Sequence, residues 1–167
     1  IERKHRFGSK LLMCGNGRCN LTSRIDPQRM LADFGAPLEA FLRPALQGFG
    51  PARLMQWFEA RGLPLMQTSD GKVFPRSERA PDVVHCFQDE LRRLQTALCM
   101  QAPVTDILPV ADGFRVCTPV FTVEARYVLV ATGGVSYPKT GSVGDGQRIA
   151  GQLGLRVLPF RPGLVGV

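Results

Sequence analysis

The sequence predicts an α/β fold, on three observations. Helix and strand signals alternate along its 167 residues. Val84, Phe87, Leu91, Leu94 and Leu98 recur at spacings of three and four, the period of an amphipathic helix. Tyr127 to Ala131 form a nearly continuous apolar run, as expected of a strand covered on both faces in a parallel sheet.

Length and a hydrophobic content of 44% suit one domain or a little more, with a real core. The formal charge is +7, and the basic residues are scattered except for Arg3, Lys4, His5, Arg6 and Lys10 near the start. A solvated basic face explains that pattern better than a phosphate-bearing ligand or nucleic acid does. Cysteines 14, 19, 86, 99 and 117 are odd in number and form no CxxC pair or zinc-type spacing. Reduced thiols in a cytoplasmic protein, with no metal, are the expectation. No apolar run reaches membrane-spanning length. The chain opens on Ile-Glu-Arg rather than Met, so a fragment or a processed chain is expected.

Ile1 and Glu2 read as the end of a strand, and Leu11 to Met13 lead into the loop CGNGRCN. Asp26-Pro27 opens a short helix that Gly35 can close, because proline suits the first helical position and glycine the left-handed stop. Pro51 starts another, with Leu54, Trp57 and Phe58 on one face and Gly62 at its end. Ser69-Asp70-Gly71 is a hairpin turn between LPLMQ and KVF. The amphipathic helix from Pro81 is expected to pack its apolar stripe into the core. VTDILPV, GFRVCT and VFTVEA then read as a small antiparallel meander.

The run at 127–131 ends on glycines 133, 134, 141, 144 and 146. Open α/β sheets bind ligands beyond the carboxyl ends of their strands, and glycines there let backbone approach a ligand closely. GSVGDGQRIAGQLG reads as a loop, a helix start at Asp145 and a helix ending near Gly154. Asp145 suits a cap of that helix and equally an acceptor for a cofactor's hydroxyls. Both roles are compatible.

Three segments, GSKLLMCGNGRCNLTS, GKVFPRSERAPDVV and VLVATGGVSYPKTGSVGDGQRIAGQLG, together resemble the signatures of the BaiN/RdsA-type NAD(P)/FAD-dependent oxidoreductases, also labelled aminoacetone-oxidase-type flavoproteins. Order and spacing agree across nearly the whole chain. The resemblance implies a partial Rossmann-type FAD-binding domain, similar to glutathione-reductase-like and fumarate-reductase-like flavoproteins, and a chain that enters after the family's first GxGxxG unit. Residues 1–23 and 100–158 would be parts of that domain, 24–99 a mainly helical excursion with a short hairpin, and 159–167 the start of a linker into a second domain.

By the same resemblance, Glu2 matches the acid that binds the adenosine ribose, and Arg3 and Lys10 would lie near phosphate or flavin, although surface solvation is the favoured reading for Arg3. Gly15, Gly17, Arg18, Cys19 and Asn20 match a loop over the flavin, where Arg18 is placed to hold ring or substrate charge. A packed thiol accounts for Cys19 better than redox chemistry, since no CxxC partner accompanies it. Val104 matches a backbone contact to adenine, and Ala131, Thr132, Gly133 and Gly134 a turn closing over the dinucleotide. Gly141, Gly144, Asp145 and Gly146 match the loop and helix start near the ribityl chain. Tyr137-Pro138 fits either a turn with a packed ring or a wall of the flavin pocket. Cys14, Asn16 and Ser23 depart from the family's usual residues. His5 and His85 are expected to be non-catalytic, and no catalytic acid or base is assigned.

The resemblance implies hydride transfer by FAD, with NAD(P)H as a candidate electron donor. The expected substrate is a small organic molecule, an activated C=C beside a carbonyl or an amine. Neither a nucleic acid nor a membrane partner is expected. A basic flavoprotein or nucleic-acid-binding module without redox activity of its own is the competing reading.

Overall fold

The structure, a computed structural model, describes residues 1–32 and 34–160. The chain forms two compact units, one of Gly8–Ala97 and one of Ile1–Phe7 with Leu98 onward. Residues 24–97 of the expected excursion at 24–99 fall within the first of these, which also takes in residues 8–23, and residues 98 and 99 belong to the second. Of the expected linker at 159–167, residues 161–167 lie outside the described residues.

The Gly8–Ala97 unit runs through a 3-10 turn at Leu11–Met13, β1 (Thr22–Ser23), α1 (Pro27–Ala32), α2 (Ala36–Gly48), α3 (Pro51–Glu59), β2 (Leu65–Gln67), β3 (Lys72–Pro75) and α4 (Ala80–Arg93). The strands form an antiparallel sheet in the order β1-β3-β2, with Thr22 opposite Val73 and Met66 opposite Phe74. Asp26 caps α1, accepting a bond from the Gln28 N–H at 2.9 Å. The hairpin turn forms where expected, with Gly71 at φ 83°. The core gathers Cys19, Phe58, Leu63, Leu65, Val73, Ala80, Val83 and Cys86. Trp57, Phe58 and Phe87 meet there, with ring centroids 5.0–5.4 Å apart.

Two features of this unit differ from the sequence expectation. Within the mainly helical excursion, the sequence expectation marks no separate helix over residues 36–48, yet α2 forms there. Pro37 sits in its first turn, where no intrahelical donor is needed, and Pro44 is tolerated inside an exposed helix with no buried residue. α4 starts as expected but ends at Arg93, and Gln95 follows at φ 53°. The apolar period therefore outlasts the helix, and Leu94 and Leu98 are exposed rather than in the core.

The second unit holds β4 (Asp106–Val110), β5 (Gly113–Cys117), β6 (Thr122–Ala125), a 3-10 turn at Pro138–Thr140 and α5 (Asp145–Gln152). The meander is antiparallel in the order β4-β5-β6, as expected. Gly113 is required beside β6, because a Cβ there would run into the Ala125 carbonyl. Ile107, Val116 and Ile149 form the core, flanked by Val104, Phe114, Val128 and Leu153. Ile1 and Glu2 are not in a ladder. Backbone bonds instead run from the Glu2 N–H to the Cys99 carbonyl (2.8 Å) and from the Ala102 N–H to the Glu2 carbonyl (3.0 Å).

Tyr127 to Ala131 correct the expectation of a buried parallel strand. No parallel ladder exists among the described residues, and this segment pairs with no strand. A strand becomes regular only with a neighbour about 4.8 Å away on a hydrogen-bonding edge. None of the described residues fills that place, and Leu129 is 91% exposed.

Two outcomes follow from this packing. Phe58→Ala should destabilise the Gly8–Ala97 unit by about 3–5 kcal/mol, the usual cost of emptying an aromatic core site. Urea unfolding followed by the fluorescence of Trp57, the single tryptophan, reads that unit. An unpaired apolar segment is also a template for association. The 167-residue chain should self-associate, and Leu129→Lys should lower the associated fraction in sedimentation velocity, whereas a monodisperse parent chain would refute the expectation.

Candidate functional site

In the second unit, two glycine-bearing loops lie against each other. The Gly144 N–H donates to the Gly134 carbonyl at 3.1 Å. A Cβ on Gly133 would come 2.9 Å from the Ser142 Oγ, and one on Gly144 3.1 Å from Val135. Gly133 and Gly144 also have φ 73° and 87°, a region that L side chains adopt at a cost. Ala131 to Gly134 and Gly141 to Gly146 are thus brought together.

Asp145 stands at the head of α5, but Gly144 is the N-cap and no side chain caps the helix. The Asp145 carboxylate, 14% exposed, instead pairs with Arg3 at 3.1 Å and with Arg148 at 3.5 Å. Arg3 is therefore not merely solvated. A Cβ on Gly141 would press on the stems of Arg3 and Lys4 at 3.2–3.4 Å, so the loop passes close beside them. Glu2 accepts a bond from the Lys4 N–H through Oε1 at 2.8 Å. The Val104 carbonyl, read as an adenine contact, already accepts from Arg148 Nη2 at 3.0 Å. The Tyr137 ring is exposed, at φ 53°, rather than packed.

A cleft of about 400 Å³ opens beside these loops, lined by Val130, Thr132, Gly133, Gly146, Gln147 and Leu158 among others. Gln147 Oε1 is buried and accepts no hydrogen bond. An acceptor left so is costly unless a donor arrives.

In the Gly8–Ala97 unit, Gly15, Asn16, Gly17 and Cys19 all take positive φ, between 56° and 82°. The run folds back on itself, the Arg18 N–H reaching the Gly15 carbonyl (3.2 Å) and the Cys19 N–H the Cys14 carbonyl (2.9 Å). Gly15 packs under Phe74, where a Cβ would come within 3.1 Å of the ring. Gly17 faces open space, while its carbonyl accepts from the Ala80 N–H at the start of α4 (2.8 Å). Arg18 is strapped over the Phe74 ring, 4.5 Å from its centroid, and pairs with Glu78 at 3.1 Å. The Asn20 amide nitrogen, in its satisfied orientation, donates to the Thr22 and Val73 carbonyls. Cys19 is buried, and burial together with the neighbouring Cys14 thiol pushes its thiol up to about 11. Lys10 precedes the 3-10 turn, its carbonyl bonded by the Met13 N–H at 3.2 Å.

Sequence reasoning missed Arg148, Gln147, Phe74 and Glu78. The i, i+3 spacing of Asp145 and Arg148 could have signalled their pair. The rest depends on tertiary placement. Among the described residues no group of three or more His, Cys, Asp or Glu is set to hold a metal, and no helix is long and apolar enough to cross a membrane.

Comparison with known proteins bears on this arrangement. The family model of the HI0933-like protein Rossmann domain matches residues 1–167. The chain is 32% identical over 165 residues to a 3-dehydro-bile acid delta(4,6)-reductase of Clostridium scindens, covering 99% of this chain and 39% of that protein. It is 30% identical over 166 residues to a ribosomal RNA dihydrouridine synthase of Escherichia coli, covering 99% and 40%. A protein of the same name from Haemophilus influenzae is 25% identical over 170 residues, covering 99% and 41%. The chain thus spans about two fifths of the length of these relatives. A match across every residue, glycine loops included, shows that the chain belongs to the HI0933-like family, the BaiN/RdsA-type FAD-dependent oxidoreductases.

Proposed function

We propose that the protein reduces a C=C bond conjugated with a carbonyl in a flat substrate, using bound FAD. The observation that carries this reading is the reaction shared by the names of two relatives that match the whole chain. A delta(4,6)-reductase of a 3-dehydro steroid and a dihydrouridine synthase both saturate a C=C polarised by a nearby carbonyl. FAD would supply hydride for that step.

The chain's own residues fit such a cofactor. Gln147 lines a cleft with Gly133 and Gly146, and its Oε1, buried without a donor, would serve a hydroxyl or imide N–H once the side chain turns toward the cleft. Gly17 turns an open backbone face outward from a loop whose left-handed residues are held by Phe74 and α4. Arg18, fixed by ring and carboxylate, presents positive charge without having to be ordered on binding. Glu2 and Asp145 are the acceptors proposed for hydroxyls, and Arg3 and Lys10 the cations proposed near phosphate.

A small-molecule substrate with NAD(P)H as the electron source is the primary reading. The two dihydrouridine synthases favour a second, in which the C=C belongs to a uridine within RNA. The full-length protein should purify yellow, lose its flavin absorbance on adding NAD(P)H without oxygen, and regain it with one substrate class. Recovery by an enone steroid supports the first reading, and recovery by uridine-containing RNA the second. A folded, colourless protein that takes up no FAD would overturn both.

Asp145→Ala separates ligand binding from structure. Removing a partly buried carboxylate held by two arginines destabilises the second unit as well. FAD retention, measured on the folded variant well below its melting temperature, should fall at least about tenfold, roughly 1.4 kcal/mol. Unchanged FAD affinity in a destabilised variant would leave Asp145 a purely structural residue.

A further inference from the structure

Cys19 has no partner at CxxC spacing, but the fold sets Cys14 beside it. Cys14 and Cys19 are five residues apart, and the bond from the Cys19 N–H to the Cys14 carbonyl closes the segment between them at 2.9 Å. Disulfides form between residues whose Cα atoms are roughly 4.4–6.8 Å apart, and a direct backbone bond between the two residues keeps theirs close. Cys14 packs against the core cluster that contains Cys19, and its thiol, which donates to the Asn20 carbonyl at 3.8 Å, is near enough to help raise the Cys19 thiol. Left-handed Asn16 and Cys19, at φ 56° and 62°, fix the turn that makes this contact. Accessibility divides the pair: Cys14 is partly exposed and Cys19 is 1% exposed.

We propose that Cys14 and Cys19 are a redox pair that closes to a disulfide by exchange with a low-molecular-weight disulfide. The Cys14 thiolate attacks one sulfur of RS–SR, forming a mixed disulfide and expelling RS⁻. Cys19, deprotonated in turn, attacks the Cys14 sulfur and expels the second RS⁻. The two protons released by the cysteines go to the two thiolates, so two thiols and one disulfide become one protein disulfide and two RSH. The pair gives up two electrons, and the external disulfide takes them.

Burial shapes the kinetics. With its thiol pushed up to about 11, Cys19 is almost wholly protonated at neutral pH, and closure should quicken as pH rises. Proximity offsets this, because the second attack is intramolecular. Closing the bond would turn the loop that carries Gly15, Gly17 and Arg18 into a covalent ring. None of this depends on the flavin reading.

The sequence itself provides the assay, since trypsin cuts after Lys10, Arg18 and Arg24. The full-length protein is equilibrated, folded, in mixtures of reduced and oxidised glutathione, acid-quenched, alkylated under denaturing conditions and digested. Excess oxidised glutathione should give LLMCGNGR joined to CNLTSR as the dominant form of both peptides, reversed by dithiothreitol. Cys14→Ser should leave Cys19 fully alkylated. The proposal is overturned if Cys14 holds glutathione while Cys19 remains free, if both stay reduced in every mixture, or if the joined peptides form only from unfolded protein.

Discussion

The Asp145 carboxylate is the fixed point on which the second unit depends. It sits in the first turn of α5, where the helix dipole favours negative charge, and it is held from two sides by Arg3 and Arg148. Arg3 draws in the opening residues, whose neighbours bond to Cys99 and Ala102. Arg148 reaches the carbonyls of Val104 and Thr105 just before β4. Chain segments far apart in sequence are thereby tied to one helix start. The glycines around it are what such crowding requires, since a Cβ at 141 would meet Arg3 and Lys4, and one at 146 would meet Thr132.

The Gly8–Ala97 unit solves a similar problem with backbone rather than charge. Its loop from Cys14 to Asn20 is built on left-handed residues, two of them not glycine, a conformation that persists only where surroundings impose it. Phe74 lies over Gly15 and under Arg18, and the first amide of α4 holds the Gly17 carbonyl. The buried side chain of Cys19 fastens the loop to the same core as Phe58 and Val73. Rigid elements thus position an otherwise irregular segment, the usual arrangement for a loop with a chemical role.

Local chemistry explains which parts were legible in the sequence. The turn at Ser69 to Gly71, the start of α3 at Pro51, the meander and the helix after Gly144 were readable because each is marked by residues whose backbone preferences act over a few positions. α2 was not marked as a helix of its own, and its two prolines occupy places where this helix tolerates them. The segment at 127–131 carries a true strand pattern, yet a pattern states what a segment can pair with, not whether a partner adjoins it. Among the site residues, the glycines were legible individually. The pairing of Arg3 with Asp145 spans most of the chain, and the contact of Cys14 with Cys19 depends on a left-handed turn that spacing does not reveal.

The balance of charge around Asp145 bears on what such a site accepts. Arg3 and Arg148 both pair with Asp145, two cations against one carboxylate. A carboxylate has about four lone-pair directions, so one already paired with two guanidinium groups still has room to accept from a hydroxyl. Its negative charge, meanwhile, is more than balanced by the cations beside it. An isolated aspartate would bind a diol and repel a phosphate attached to it. If Asp145 serves as the proposed acceptor, its place between two arginines would keep that acceptor function while the surplus cation removes the repulsion, the combination that a ligand carrying both hydroxyls and phosphates requires.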